Sequence, residues 1–83
     1  MLKVQVISPE KMLFEGEVDA LTAPAFDGEV GILTSHAPMM TLLGKGTLRL
    51  GAGGSVASFL VEGGFLQVVD DTVRVVTERA VPA

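Results

Sequence analysis

Hydrophobic and polar residues alternate with a period of two along most of the chain. The alternation is clearest at residues 2–6, 12–19, 47–50 and 72–75. Successive side chains of a β-strand point to opposite faces, so each segment is predicted to be a strand with one buried and one solvated side. In the second segment the predicted buried side carries Met12, Phe14 and Val18, and the other side carries Leu13, Glu15, Glu17 and Asp19. No stretch of about 11 residues keeps a helical spacing free of glycine and proline, although Glu78-Arg79-Ala80 could open a helix.

Turn-forming residues separate these segments at short spacing. The turn signals lie at residues 8–11, 24–28, 34–38, 44–46, 51–55 and 70–71. Many short strands joined by such turns are typical of an antiparallel β-sandwich or barrel, which places the chain in the all-β class. Gly63-Gly64 is different, because it interrupts the apolar run from 56 to 69 without another turn residue beside it. The pair predicts a sharp bend or bulge where one strand passes from one sheet into the next.

Length and composition place the chain among small globular domains. Its 83 residues correspond to one domain, and 48% of them are hydrophobic, which supplies a core and leaves apolar surface of the kind that usually marks partner sites. The net charge is −4, the six Lys and Arg residues are scattered, and the aromatic residues are four phenylalanines, which excludes a basic, base-stacking nucleic-acid surface. The lack of cysteine excludes disulfides and thiolate chemistry. A signal peptide is not expected, because MLKVQV has no basic flank that leads into a long apolar run. A membrane span is not expected either, because no apolar run approaches ~18 residues.

Catalytic and metal-binding patterns are weak. A hydrolytic site needs a nucleophile, a base and an orienting carboxylate, and the chain offers one base, His36, beside Ser35 and seven residues after Glu29. Neighbouring residues of an extended loop point apart, so a hydrolase that uses His36 and Glu29 is kept only as an alternative. One histidine without cysteine provides no ligand set for a metal, and GAGGS at 51–55 lacks the lysine of a phosphate-binding loop. No catalytic residue, cofactor or metal is therefore predicted.

Lys11 supports a second alternative, a carrier domain of the lipoyl or biotinyl type. Such carriers are flattened sandwiches modified on a lysine at a hairpin tip, and Glu10-Lys11-Met12 places lysine beside methionine at a predicted turn. Their lysine lies near the middle of the chain, whereas Lys11 is in the first turn. A turn lysine that keeps the loop soluble explains the residue more simply.

His36 opens a proline-containing segment that leads into an apolar run. Pro38 fixes its own φ and restricts Ala37 to extended geometry, so the loop is predicted to be stiff before any partner binds. Stiff loops lose less entropy on binding, and Met39 and Met40 supply adaptable apolar contacts. The pattern suits a docking surface, and it suits equally a lone histidine with a local structural hydrogen bond.

Four stretches of the sequence resemble one protein family, in the expected order. They are VQVISPEKMLFEGEV at 4–18, DGEVGIL at 27–33, HAP at 36–38 and VEGGFLQVVDDTVRVVTERA at 61–80. Together they are similar to the N-terminal β-sandwich domain of the epsilon subunit of F-type ATP synthases, the subunit called delta in mitochondria. The resemblance covers nearly the whole chain. It implies an antiparallel β-sandwich of two sheets and about ten short strands, with residues 1–83 as a single domain.

The resemblance also implies a function. Members of the family are non-catalytic rotor subunits of the central stalk, which bind the gamma subunit and rest on the ring of membrane c subunits. They couple ion-driven rotation to ATP synthesis in the alpha/beta head, on the cytoplasmic face of the bacterial inner membrane or its equivalent. Most members carry a C-terminal helical hairpin that can inhibit ATP hydrolysis and in some binds ATP. No hairpin is expected in residues 1–83, so neither activity is assigned.

Two sets of contact residues follow from the resemblance. It implies that gamma is bound by His36, Ala37, Pro38, Met39 and Met40. It implies that the polar loop of the c ring faces Asp27, Gly28 and Glu29, with Ser8 at the edge of the contact. Burying an apolar side chain contributes more free energy to binding than an exposed ion pair does. Met39→Asp is therefore expected to weaken gamma binding more than Glu29→Ala.

Overall fold

The computed structural model describes residues 1–52 and 54–83, and eight β-strands account for most of them. The strands are β1 (Leu2–Ile7), β2 (Met12–Val18), β3 (Ala20–Ala25), β4 (Gly28–Leu33), β5 (Met39–Leu42), β6 (Lys45–Leu50), β7 (Ala57–Val69) and β8 (Thr72–Pro82). A short 3₁₀ turn, Ala52–Gly54, lies between β6 and β7. Within the described part of the chain, no helix has the length and hydropathy needed to cross a bilayer.

The strands form two sheets that share their longest members. The second half of β7 pairs with β5 and with the first half of β8, which pairs in turn with β1, and β2 completes this first sheet. The first half of β7 pairs with β6 and with the second half of β8, and β3 and β4 complete the second sheet. The predicted sandwich is confirmed. The expected ten strands are eight in the structure, because β7 and β8 each contribute a half to both sheets.

The passage from one sheet to the other takes place at Gly63-Gly64. These residues have φ of +74° and +100°, in the left-handed region that favours glycine. The pairing of β7 with β8 continues in the same register from Glu62 opposite Arg79 to Gly64 opposite Thr77. The glycine pair therefore produces a bend without the inserted residue of a bulge. Of the two features that the sequence allowed, a bend and a bulge, the structure has the bend.

The pairing of β1 with β8 is parallel, from Lys3 opposite Thr72 to Ile7 opposite Val76. The expectation of a wholly antiparallel sandwich is therefore wrong at this pair. Alternation of apolar and polar residues is the same in parallel and antiparallel strands, so the pattern carries no information on direction. Every other pair of strands is antiparallel.

The core lies between the sheets and is almost wholly aliphatic. Its fully buried side chains include Leu2, Val4, Val6, Leu21, Ile32, Leu48, Leu50, Leu66, Val68, Val73 and Val75. Met12 was predicted to be buried on the same side of its strand as Phe14 and Val18. It is exposed instead, because the register of β1 and β2 shifts between Val6 and Ile7. Phe14, on the core side of that shift, packs against the core as predicted.

Glu78-Arg79-Ala80, which by sequence alone could open a helix, does not do so. These residues continue β8, where Ala80 pairs with Val61 and Pro82 pairs with Phe59. Without these residues, the backbone amides and carbonyls on this side of β7 would have no partner in the sheet. Pairing with them outweighs the weak local preference of residues 78–80 for helix.

Candidate functional site

The segment Thr34–Pro38, here called the docking loop, connects β4 to β5. It begins with a tight turn in which the His36 amide donates a hydrogen bond to the Leu33 carbonyl, at 3.2 Å. Ser35 has φ of +67°, whereas Thr34 does not have a positive φ. This is the arrangement of a type II turn, in which glycine or asparagine normally takes the place of Ser35. A non-glycine residue held in this region costs on the order of 1 kcal/mol or more.

Asp71 supplies a contact that compensates for this cost. Its carboxylate Oδ1 accepts a 2.6 Å hydrogen bond from the Ser35 amide, and its carbonyl accepts one from the Lys3 amide at 2.8 Å. Hydrogen bonds to an ionised group contribute about 1.5–3 kcal/mol, which is enough to hold the turn. Asp71 lies in the turn between β7 and β8 and itself has φ of +58°. The sequence predicts that turn, but no local signal connects it to a loop so distant in the chain.

His36 makes the local hydrogen bond that the sequence left open as an alternative. Its Nδ1 lies 2.7 Å from the Ala37 carbonyl oxygen, and its side chain is half-buried. A carbonyl only accepts, so Nδ1 carries the proton and Nε2 of a neutral ring is an acceptor. Ala37 and Pro38 are exposed. The histidine therefore helps to shape the docking loop and retains one nitrogen for a donor on a partner.

The apolar run after the loop divides between core and surface. In β5, Met39 is half-buried against the core, whereas Met40 is 65% exposed and Leu42 is 62% exposed. Leu43, directly after the strand, is buried. Because strand side chains alternate, Met40 and Leu42 lie on the outer face of the first sheet. Met39 packs against the core and is only partly exposed.

An apolar row, which the sequence analysis missed, crosses this outer face from β5 to β2. It contains one residue from each of the five strands, in the order Leu42, Phe65, Val76, Ile7 and Met12, each paired with the next. The neighbouring row begins with Met40 in β5 and is polar in the other four strands, where it contains Gln67, Arg74, Gln5 and Glu15. The row depends on the register of five strands, so alternation within a single strand could not reveal it.

The two-residue connection between β3 and β4, with the first residues of β4, forms an acidic turn, defined here as Phe26–Glu29. All four residues are exposed. The Glu29 carboxylate lies 3.4 Å from the Arg49 guanidinium, and both side chains remain partly exposed. The Phe26 amide donates a 3.1 Å hydrogen bond to the Leu42 carbonyl. The acidic turn therefore lies beside the end of β5 that is farther from the docking loop.

Ser8 begins the turn between β1 and β2. Its amide donates to the Lys11 carbonyl at 2.9 Å, and its hydroxyl bonds the same carbonyl at 3.1 Å. Ser8 is half-buried and Lys11 is exposed. The turn lies against residues 78–81 of β8, with which it lines a shallow cavity. Its geometry would leave Lys11 accessible, but nothing around the side chain favours a carrier.

The docking loop and the acidic turn lie at opposite ends of β4. Leu33 lies four residues after Glu29 along the strand, a distance of about 13 Å. The structure therefore does not bring His36 and Glu29 together, as the hydrolase alternative would require. Within the described residues no cluster of three or more histidines and carboxylates could hold a metal ion. Instead, the exposed residues of β5 connect the docking loop to the acidic turn.

Comparison with known proteins gives consistent results. The sequence family described as "ATP synthase, Delta/Epsilon chain, beta-sandwich domain" matches residues 1–83. The ATP synthase epsilon chain of Leptospira borgpetersenii is 48% identical over 78 residues, which cover 94% of this chain and 61% of that protein. The epsilon chain of Caulobacter vibrioides is 38% identical over 82 residues, which cover 99% of this chain and 95% of that protein. The chain thus spans about three fifths of the first relative and nearly all of the second.

Solved structures share the fold. A chain in the cryo-EM structure of the Euglena gracilis mitochondrial ATP synthase (OSCP/F1/c-ring, rotational state 1) superposes with a TM-score of 0.86 at 28% identity, covering 98% of this chain and 52% of that one. A chain in the central stalk and c-ring structure of the Tetrahymena thermophila mitochondrial ATP synthase has the same fold, with a TM-score of 0.80 at 20% identity. The chain belongs to the family of ATP synthase delta/epsilon β-sandwich domains.

Proposed function

We propose that the chain is a non-catalytic central-stalk subunit of an F-type ATP synthase, which binds gamma and the c ring and couples ion-driven rotation to ATP synthesis. The observation that carries this proposal is the family match over the whole chain. The likeness to a chain in an ATP synthase structure that contains F1 and the c ring agrees with it. A subunit of this kind needs contact surfaces rather than a catalytic site.

The proposed gamma-binding residues are His36, Ala37, Pro38 and Met40, with Leu42 added and Met39 beneath them in a supporting role. The exposure of Met40 and Leu42 supports this assignment, because large apolar side chains on a folded surface gain free energy when a partner covers them. Fully burying such a side chain is worth roughly 1.5–3 kcal/mol. The other members of the apolar row provide further surface of the same character.

The proposed c-ring contact consists of Asp27, Gly28 and Glu29, with Ser8 at its edge. The exposure of the acidic turn supports the assignment, and its charge suits a polar or basic loop. Arg49 already neutralises part of the Glu29 charge, so this contact is expected to add little affinity and to direct orientation instead. Because the acidic turn and the docking loop lie at opposite ends of β4, both partners can be bound at once.

The proposal also gives the chain a place in the cell. In a bacterium it would be held at the cytoplasmic face of the inner membrane through the complex, without insertion into the bilayer. Its effect on the alpha/beta head would be indirect, through gamma. The carrier function on Lys11 is not favoured, since the relatives are ATP synthase epsilon chains.

Capture of the matching gamma subunit by the immobilised chain tests the proposal. Wild type is compared with His36→Ala and Met40→Asp, and Glu62→Ala, at an exposed position of the second sheet, serves as the control. Central interface residues commonly contribute 2 kcal/mol or more, so a loss of about thirtyfold is expected for Met40→Asp and a smaller one for His36→Ala. Failure of the folded wild-type chain to capture folded gamma would overturn the proposed function.

A further inference from the structure

The docking loop is anchored from outside by Asp71. In the described structure the loop's amides make two hydrogen bonds to other residues that fix its path: His36 to Leu33 within the turn, and Ser35 to the Asp71 carboxylate. The second is the shorter, at 2.6 Å, and it alone connects the loop to the hairpin between β7 and β8. Without it, the 3.2 Å bond from His36 to Leu33 alone would hold Ser35 in its left-handed conformation.

The anchor is itself well fixed. Asp71 and its neighbour Asp70 have φ of +58° and +49°, which is the conformation of a two-residue hairpin turn between Val69 and Thr72. The Asp71 carbonyl receives the Lys3 amide, so the first strand of the sheet also holds the turn. The backbone of Asp71 is therefore held on both sides by regular sheet, and through the carboxylate the loop takes its position from that sheet.

We propose that Asp71 is a positioning residue, which holds the docking loop in the shape that binds gamma without contacting gamma through its carboxylate. The inference rests on the proposed function, because gamma is the partner assigned there. Its physical basis is preorganisation: a loop already fixed in its bound shape loses less entropy on association. The sequence suggests that Pro38 stiffens the loop, and the structure adds a second constraint at the other end, at Ser35.

The two neighbouring aspartates provide a matched set of variants. Asp71→Gly removes the carboxylate but tolerates the positive φ, and Asp70→Gly makes the same change one residue earlier in the same turn. Asp71→Asn keeps an oxygen at the Oδ1 position and also tolerates the left-handed conformation. Each is compared with wild type by gamma capture and by hydrogen exchange of the Ser35 and His36 amides.

The expected result is specific to Asp71. Asp71→Gly should bind gamma about tenfold more weakly, as expected for loss of one charge-assisted hydrogen bond, and the Ser35 amide should exchange faster by a similar factor. Asp71→Asn should stay within about threefold of wild type, because a neutral acceptor replaces a charged one. Asp70→Gly should bind normally. If the glycine variant does not fold, Asp71→Ser gives the same comparison, since its hydroxyl stops one bond short of the Oδ1 position.

Two outcomes would overturn the inference while leaving the proposed function intact. One is wild-type affinity in a folded Asp71→Gly variant whose Ser35 amide is no longer protected. The other is an equal loss in Asp71→Gly and Asp70→Gly, which would mean that the turn acts as a whole. If wild type itself fails to capture gamma, the proposed function fails, and the exchange data alone then show whether Asp71 holds the loop.

Discussion

Gly64 and Thr77 lie directly opposite each other where β7 and β8 bend, so close that a Cβ on Gly64 would lie 2.7 Å from the Thr77 Cα. The glycine also has φ of +100°. The bend that divides the sandwich into two sheets therefore depends on the absence of one side chain. On the other strand, the Thr77 side chain is buried and its hydroxyl donates to the Arg79 carbonyl at 2.8 Å.

Replacement of Gly64 by alanine should destabilise the fold strongly. The added Cβ meets backbone atoms of β8, which cannot rotate away, and the backbone conformation is unfavourable for alanine. The free energy of unfolding in urea should fall by about 2–4 kcal/mol. Gly31→Ala is the control, because nothing lies within 4 Å of its Cβ position, and it should change stability by less than about 0.5 kcal/mol. Equal effects of the two substitutions would contradict this account of the bend.

Thr77→Val should cost about 1–3 kcal/mol, because it keeps the shape of the side chain but leaves the Arg79 carbonyl without its donor. Thr72→Val, at an exposed position of the same strand, should be nearly neutral. Thermal unfolding of the two variants makes the comparison. A Thr77→Val variant as stable as wild type would show that the hydroxyl is not needed at the bend.

Met39 and Met40 should respond to aspartate in opposite ways. Met40→Asp changes an exposed side chain, so it should leave the unfolding free energy within about 0.5 kcal/mol and weaken gamma capture. Met39→Asp places a charge against the core and should destabilise the chain by about 2 kcal/mol or more. This revises the expectation that Met39→Asp is the better test of binding. A stable Met39→Asp variant that has lost gamma would restore it.

The Glu29–Arg49 pair should contribute little to stability. Its two side chains are 63% and 44% exposed, and its 3.4 Å contact is long for a charged hydrogen bond. A double-mutant cycle with Glu29→Gln and Arg49→Gln should give a coupling free energy of about 0–1 kcal/mol, decreasing as salt is raised. A coupling of several kcal/mol that resists salt would show that the pair is part of the fold rather than of a contact surface.

Substitutions at the same two residues test the role of the acidic turn. If Glu29 orients the c-ring contact, Glu29→Lys should weaken association with isolated c rings at low salt, and the effect should fade as salt rises. Arg49→Gln should leave that association unchanged or strengthen it, because Glu29 loses a competing cation. Weaker association after both changes would argue against a contact through the Glu29 charge.

The sequence predicted the parts of the fold that depend on local pattern. Alternation located β1, β2, β6 and the beginning of β8, and the Gly63-Gly64 interruption predicted the bend. It did not reveal the parallel partner of β1, because alternation has no direction, or the continuation of β8 through Glu78, because pairing with β7 decides it. Met12 was misplaced for a related reason: one register shift in β1–β2 moves a side chain to the other face.

The candidate site was likewise predicted only in the parts that depend on local sequence. The sequence located the docking loop and the acidic turn. Asp71 and the apolar row could not be found, since each depends on residues brought together only by the completed sheets. Whether gamma and the c ring are bound at these positions stays a prediction.

The parallel pairing of β1 with β8 bears on how the chain folds during synthesis. Until Thr72 and the residues after it leave the ribosome, β1 has only β2 as a neighbour, and one side of its backbone lacks a partner. Such closure between distant parts of a chain is slow, because much chain entropy is lost before the contacts form. Until β8 emerges the nascent chain therefore carries an open, apolar strand edge, and this edge is where aggregation or chaperone binding would be expected to begin.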